Sequence, residues 1–181
     1  MFVELNTLIL RITQIIQVVI FVGGCYFLSI SMFGWKKRKE ENAELYPPSK
    51  RFALVIAAHN EELVIAHIIE SLKRQNYPKE LFDIFVVADN CSDKTAKIAE
   101  NCGAIVYERF NEHERGKGYA LEWIFQKIYS MGDKYDAIGV FDADNLVSAN
   151  FLLEMNMQLC KGHKVVQGYI DSKNPFDSWI T

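Results

Sequence analysis

The segment Ala137-Ile138-Gly139-Val140-Phe141-Asp142-Ala143-Asp144-Asn145 is the starting point for the expected architecture of this chain. Its five apolar residues predict a buried strand that ends in two carboxylates. Side chains alternate between faces along an extended chain, so Asp142 and Asp144 are expected on one side and Ala143 on the other. Carboxylate oxygens are ligands that hard divalent ions prefer, and the neighbouring Asn145 adds a carbonyl. Because ligands of open α/β sheets bind beyond the carboxyl ends of the strands, the stretch predicts a ligand site.

Apolar strands alternate with helical segments on both sides of this stretch. Strands are predicted at residues 52–58, 84–88, 104–107, 137–141 and 165–169, and helices at residues 62–75, 93–101, 119–130 and 150–159. Continuous apolar strands that alternate with helices are typical of a parallel sheet. The pattern therefore predicts an α/β domain with a mostly parallel sheet of about five strands and helices on both faces.

The N-terminal region contains 24 residues without a charged side chain, from Ile12 to Trp35. A helix of this length reaches ~36 Å at about 1.5 Å per residue, which is enough to cross a hydrocarbon core of ~30 Å. A cleaved signal peptide has a shorter apolar region, so we predict one transmembrane anchor over residues 1–35. The run Lys36-Lys37-Arg38-Lys39 follows it, and such basic flanks are typical of the cytoplasmic side. We expect a single-pass protein of the cell membrane with a cytoplasmic domain.

Composition bounds the remainder of the chain. Residues 36–50 are basic and contain Pro47-Pro48, which predicts a juxtamembrane linker before a domain over residues 51–181. The net charge of −3 argues against a nucleic-acid-binding surface, so no nucleic-acid partner is expected. The four cysteines have no metal-ligand spacing and are expected to be free thiols.

Polar residues follow three of the predicted strands. The first strand ends in Ala58-His59-Asn60-Glu61, the second in Asp89, and the fourth in the Asp pair. These ends lie along one edge of a parallel sheet, each before a helix whose N-terminal amides favour negative charge, which suits a phosphate-bearing ligand with a metal ion. Asn60 and Glu61 are also typical of ordinary helix starts. Asp89 comes too early to cap a helix, so its carboxylate is expected to be free to accept a hydrogen bond, for example from a nucleobase N–H.

The loop Arg115-Gly116-Lys117-Gly118 precedes the next helix. A cation between two glycines can bring charge and bare amides close to phosphates, although a flexible solvated loop explains the same residues equally well. His59 is either structural or part of the site, and the sequence leaves that choice open.

These motifs together, AAHNEE, VVADNCSDKT, ERGKGYAL and FDADN, resemble the donor-binding half of a family 2 glycosyltransferase of the GT-A fold. The resemblance covers residues 51–181, with the four motifs in order. It implies that Ala58, His59, Asn60 and Glu61 border the nucleotide, that Asp89 contacts uracil, and that Lys117 lies near the donor. It further implies that Asp142 and Asp144 serve the ribose, the diphosphate and a Mg²⁺ or Mn²⁺ ion.

The resemblance implies transfer of a sugar from a nucleotide-sugar donor, expected to be UDP-linked, to a saccharide or lipid-linked acceptor at the cytoplasmic membrane face. The membrane anchor and the ADNCSDKT wording are most similar to polysaccharide-forming members such as cellulose and hyaluronan synthases. Such enzymes place a catalytic aspartate, and often Gln-x-x-Arg-Trp, well after the metal motif. Only 37 residues follow Asp144, and neither Asp171 nor Asp177 matches. We therefore expect an N-terminal fragment, with the catalytic base beyond Thr181.

Two other functions remain open. A phosphatase of the haloacid-dehalogenase type also places Asp-x-Asp after an apolar strand and uses the first aspartate as nucleophile. That fold normally begins with the motif, whereas here two strand-helix units and more precede it. The second alternative is a membrane-tethered domain that binds nucleotide sugars without catalysing transfer, because no residue matches the base.

Overall fold

The computed structural model describes residues 2–34, 43–132 and 134–170, and the chain divides into two compact units between residues 41 and 42. The first unit contains helix α1, Phe2–Gly34. Its segment Glu4–Gly34 contains an 18-residue window with a mean hydropathy of 2.1 and is long and apolar enough to cross a membrane. The expected N-terminal helix is thus present as a candidate span. The basic run at residues 36–39 lies outside the described residues.

The second unit is built on a four-stranded parallel sheet. Its strands are β1 (Phe52–Ala58), β2 (Phe82–Asp89), β3 (Ile105–Arg109) and β4 (Ala137–Asp142), in the order β3-β2-β1-β4. All three strand pairs are parallel. The helices of this unit are α2 (Ile65–Lys73), α3 (Thr95–Asn101), α4 (Lys117–Ser130) and α5 (Phe151–Cys160). Two short 3₁₀ helices lie at Ala43–Leu45 and Lys79–Leu81.

Two apolar cores lie on opposite faces of the sheet. Alternate residues of β1 contribute to each, because successive side chains of a strand point to opposite faces. Leu54 and Ile56 pack with buried residues of α2, α3 and α5, whereas Ala53 and Val55 pack with buried residues of α4. The predicted α/β fold with helices on both faces is confirmed.

The prediction of a fifth strand at residues 165–169 is wrong, because residues 165–170 have no regular secondary structure. Val165 and Tyr169 are each 91% exposed. Apolar composition alone suggested a strand, but an extended segment also needs a neighbouring strand for its backbone hydrogen bonds. Helix α2 also begins three residues later than expected, because the amides of Val64 and Ile65 both donate to the carbonyl of Glu61 and form a turn there.

Asn156 of α5 holds the segment that enters the domain. It is fully buried, and its Oδ1 accepts hydrogen bonds from the amides of Ser49 and Lys50. Its Nδ2 donates to the carbonyls of Tyr46 and Pro47. The Tyr77 hydroxyl also donates to the Lys50 carbonyl, so these side chains fix the C-terminal part of the predicted linker, residues 46–50, against the domain.

Candidate functional site

The ends of all four strands meet at one edge of the sheet, as their parallel register requires. Ala58 pairs with Ala88, Ala57 with Asp142, and Asp89 with Arg109. A cavity of about 320 Å³ opens there. Four residues proposed from sequence line it, namely Ala58, His59, Asp89 and Lys117; the other lining residues are Ala57, Asn90, Arg115, Gly116 and Ala120.

Asp89 is buried, with a relative exposure of 6%, and forms an ion pair with the equally buried Arg109. The Arg109 Nη1 donates to Asp89 Oδ1 at 2.7 Å, and the side chain of Asn90 donates to the same oxygen at 3.2 Å. The expectation of a free carboxylate is therefore wrong for one of its two oxygens. Asp89 Oδ1 is already engaged by the protein.

Sequence reasoning missed Arg109. The third strand was expected to stop at Tyr107, which left Arg109 in a charged loop. The strand instead continues to Arg109 and places it directly beside Asp89 in the parallel register. A usable sequence signal was a cation two residues beyond the predicted strand, at the same sheet edge as an aspartate.

Two asparagines tie the strand-end loops to one another. Asn60 and Asn90 have φ angles of 55° and 51°, in the left-handed region that asparagine tolerates better than most residues. The Asn60 Oδ1 accepts a hydrogen bond from the Ser92 amide at 2.8 Å, and the Asn90 Oδ1 accepts one from the Asn111 amide at 2.9 Å. Asn60, expected to border the nucleotide, thus helps build the loop next to the cavity.

Asp93 and Thr95 connect the end of β1 to the start of α3. The Thr95 hydroxyl accepts a hydrogen bond from the Glu61 amide and donates one to Asp93. The Asp93 carboxylate also accepts from the amides of Thr95 and Glu62. Desolvation acts to raise the pKa of Asp93, but these hydrogen bonds together outweigh it and lower that pKa below its ordinary value. Asp93 therefore accepts the hydrogen bonds that join the end of β1 to the turn before α3.

His59 is both a structural residue and part of the site, the two roles between which the sequence left the choice open. Its Nδ1 lies 2.7 Å from the carbonyl oxygen of Asp89, and its side chain lines the cavity. Cys91 lies between the same two loops, where its thiol contacts the Ala58 carbonyl and the Asn60 amide. Burial raises the pKa of this thiol, which indicates a structural cysteine.

Residues 142–145, called the acidic turn below, follow β4. Asp142 and Asp144 are exposed while Ala143 is 6% exposed, so the predicted alternation is present. The Lys117 ammonium forms an ion pair with Asp142 Oδ1. Asn145 was expected to offer a carbonyl to a metal ion, but its Oδ1 lies 3.4 Å from the Asp142 amide and its Nδ2 donates to Asp144. Its amide stabilises the turn.

Gly116 sets the start of α4 beside this turn. Its φ of 115° lies where L side chains are strained, so glycine is the suitable residue at this position. Lys117 is the first residue of the 14-residue helix α4 and contacts the acidic turn from there. The loop thus brings a cation and a helix N-terminus to one side of the cavity.

A family model matches residues 53–180 of this chain, and its description is glycosyl transferase family 2. The chain belongs to this family. The family predicted from the four motifs is confirmed, and membership favours a transferase over the phosphatase alternative. The matched residues include those that line the cavity and those of the acidic turn.

Several curated relatives share part of the sequence. A beta-monoglucosyldiacylglycerol synthase of Trichormus variabilis is 32% identical over 57% of this chain and 22% of its own length. The probable glycosyltransferase YdaM of Bacillus subtilis is 35% identical over 52% of this chain and 23% of its own. The protein RfbJ of Shigella flexneri is 29% identical over 66% of this chain and 90% of its own. The chain thus spans about a fifth of the first two relatives.

Solved structures share the fold. The mannosyltransferase PcManGT of Pyrobaculum calidifontis, solved with GDP-Man and Mn²⁺, has a TM-score of 0.58 at 18% identity, covering 74% of this chain and 39% of its own. The S. aureus TarS 1-349 structure has a TM-score of 0.51 at 20% identity, covering 71% of this chain and 40% of its own. At these identities the likeness concerns the fold, which is GT-A-like as predicted.

Proposed function

We propose that the cavity binds a nucleoside-diphosphate sugar, and that the protein transfers this sugar to a lipid-linked or saccharide acceptor at the cytoplasmic membrane face. One observation carries the proposal: a buried aspartate and an exposed pair of aspartates flank the same sheet edge, with cations between them. That order suits a ligand with a hydrogen-bonding base at one end and a diphosphate at the other.

Asp89 serves the base in this proposal. A carboxylate held by a guanidinium accepts hydrogen bonds and donates none, so it pairs with a ring N–H. Uracil and guanine each present such an N–H. Ala58 and His59 line the cavity beside Asp89 and contact the nucleoside, while Asn60 and Glu61 shape the loop behind them.

Arg115, Gly116 and Lys117 serve the diphosphate. They line the cavity at the N-terminus of α4, whose unpaired amides favour an anion. Lys117 is ion-paired with Asp142 in the protein alone. A bound diphosphate competes with Asp142 for this cation, so Lys117 moves toward the phosphate oxygens and frees Asp142.

Asp142 and Asp144 would hold a divalent ion, Mg²⁺ or Mn²⁺. The residues fit such an ion, since both side chains are exposed, both lie opposite buried Ala143, and both offer hard oxygen ligands. No group of three His, Cys, Asp or Glu residues suited to a metal occurs within residues 2–34, 43–132 and 134–170, so the protein supplies a partial ligand set. When bound, the ion stabilises the negative charge that develops on the departing diphosphate.

The names of the relatives support a lipid-linked acceptor. The relative from Trichormus variabilis is named a beta-monoglucosyldiacylglycerol synthase, and helix α1 is a candidate membrane span. A polysaccharide acceptor, as in the branch similar to cellulose and hyaluronan synthases, is the second candidate. Residues 171–181, including Asp171 and Asp177, lie outside the described residues.

Calorimetry with the full chain in detergent micelles tests donor binding. UDP, UDP-glucose and GDP-mannose are titrated with and without Mn²⁺. We expect metal-dependent binding of at least one of them, abolished by Asp144→Ala and retained by Glu100→Ala, which removes an exposed carboxylate of α3 that lines no described cavity. Absence of binding to all three ligands would overturn the donor site.

A transfer assay tests the reaction separately. Radiolabelled UDP-glucose is supplied with vesicles that contain diacylglycerol, and lipid extracts are separated from water-soluble products. Label in the lipid fraction supports the lipid acceptor, and label in polymer supports polysaccharide synthesis. Donor binding without transfer would favour the non-catalytic alternative for this chain, whereas phosphate-ester hydrolysis that Asp142→Asn abolishes would favour a phosphatase.

A further inference from the structure

Arg109 is a buried cation with partners on two segments of the site. It is 5% exposed at the end of β3. Its Nη1 donates to Asp89 Oδ1 at 2.7 Å and to the Glu114 carbonyl at 2.8 Å, and its Nη2 donates to Glu114 Oε2 at 3.3 Å. The guanidinium therefore spans from the carboxylate beside the cavity to the loop that precedes α4.

The two carboxylate oxygens of Asp89 therefore differ in their hydrogen-bond partners. Oδ1 accepts from Arg109 and from Asn90, whereas Oδ2 has no hydrogen-bond partner among the described residues. No fully buried side-chain oxygen or nitrogen in this part of the chain lacks a partner. Oδ2 is therefore still accessible, on a residue that lines the cavity. One oxygen holds the side chain in place, and the other is available to a ligand.

We propose that Arg109 is a positioning residue that sets base specificity through Asp89. This inference rests on the proposed donor site and names a property of it. Arg109 and Asn90 both donate to Oδ1 and so fix the orientation of the Asp89 carboxylate. A carboxylate has no hydrogen-bond donor, so Oδ2 acts only as an acceptor. The site consequently selects a base with a ring N–H, such as uracil, over cytosine, whose equivalent nitrogen has a lone pair.

Glu114 connects Arg109 to the loop that precedes α4. Glu114 Oε2 also accepts from the Asn111 side chain, and the Asn111 amide donates to Asn90. The next residues in the chain, Arg115 to Lys117, line the cavity. Arg109 thus contacts Asp89 and also stabilises the loop that carries the phosphate-side cations.

UDP and CDP are the matched probes, because their pyrimidine rings differ at the nitrogen that Asp89 would face. Their affinities for the full chain in detergent are measured by calorimetry with Mn²⁺ present. We compare wild type with Arg109→Met, which removes the charge, and Arg109→Lys, which keeps it. Arg74→Met, an exposed arginine at the end of α2, is the control.

We expect wild type to prefer UDP over CDP. Arg109→Met should reduce this preference about tenfold, since a hydrogen bond to a charged group is worth about that factor. Arg109→Lys should retain the preference, and Arg74→Met should leave it unchanged. If Arg109→Met does not fold, Arg109→Gln replaces it as the neutral variant with the same expectation.

The outcomes separate this inference from the proposed function. Wild-type binding of both nucleotides without preference, or an unchanged preference in the folded neutral variant, overturns the role of Arg109 and leaves the donor site standing. Equal weakening of UDP and CDP in the neutral variant shows a merely structural arginine and also overturns it. If wild type binds GDP-mannose but neither UDP nor CDP, the donor site stands and the role of Arg109 in pyrimidine selection is overturned. If wild type binds none of UDP, CDP and GDP-mannose, the donor site itself is removed, and this inference with it.

Discussion

The Asp89–Arg109 pair and the acidic turn lie at the same sheet edge but are held in opposite ways. Asp89 and Arg109 are both buried and share a 2.7 Å hydrogen bond. Asp142 and Asp144 are exposed, and the contact from Lys117 to Asp142 joins two side chains that are each about half exposed. The first arrangement is held by hydrogen bonds within the protein before any ligand arrives. The second keeps its carboxylates accessible to an ion and a diphosphate.

Arg109→Met should cause the largest loss of stability. Removing one partner of a buried ion pair leaves an uncompensated charge, which costs about 3–5 kcal/mol of unfolding free energy. Urea unfolding of the full chain in detergent, followed by tryptophan fluorescence, measures this loss. Arg74→Met should change the same quantity by less than about 0.5 kcal/mol. A loss below about 1 kcal/mol for Arg109→Met would show that the pair is not effectively buried.

Asn60→Ala should have the next largest effect. Alanine at a φ of 55° costs about 1–2 kcal/mol, and the hydrogen bond to Ser92 is lost as well. Asn60→Gly is the matched variant, because it loses the hydrogen bond without the backbone strain. Unfolding curves should rank wild type above Gly and Gly above Ala. Equal stability of the two variants would mean that the backbone at residue 60 relaxes.

Asp93→Asn should change the acid dependence of stability. The pKa of Asp93 is lower in the folded chain than its ordinary value of 3.8. Its ionised form therefore stabilises the fold above about pH 4, and this stabilisation is lost as the pH falls through the lowered pKa. Unfolding free energies measured between pH 3 and pH 5 should fall less steeply in Asp93→Asn. Parallel slopes would contradict the prediction.

Asp144→Ala should have the smallest effect on stability, within about 0.5 kcal/mol, because the side chain is exposed and its recorded hydrogen bond is with the neighbouring Asn145. The same variant should lose metal-dependent nucleotide binding. Thermal unfolding without ligand, beside calorimetry with UDP and Mn²⁺, measures both. A large fall in stability would show that the acidic turn is a structural element, and the contrast with Asp89 would disappear.

The fold was predictable from sequence where local pattern and packing agree. The apolar strand at residues 52–58 has the predicted bounds, because it lies in the middle of the sheet with a neighbour on each side. The prediction of a strand at residues 165–169 was wrong, since Val165 and Tyr169 are exposed and the segment has no regular secondary structure. Pairing depends on the rest of the sheet, which a local window does not contain.

The residues of the candidate site also fall into those that local sequence predicted and those that it did not. The acidic turn, Asp89 and Lys117 were found because their positions after strands and before a helix are local features of the sequence. Arg109 and Asp93 were missed as site-building residues, because their partners are distant or their hydrogen bonds depend on loop conformation. Arg109 lies 20 residues from Asp89 in sequence and beside it in the sheet.

Residue order alone was enough to predict the fold class, the family, the N-terminal apolar helix and the edge of the sheet that carries the site. These features follow from local patterns, because apolar strands and helices alternate along the chain. The three-dimensional fold was needed to show that one oxygen of Asp89 is bound by Arg109 and that Asp142 is ion-paired with Lys117. Burial and ion pairing depend on which distant residues meet, here through the parallel register of β2 with β3 and through the start of α4.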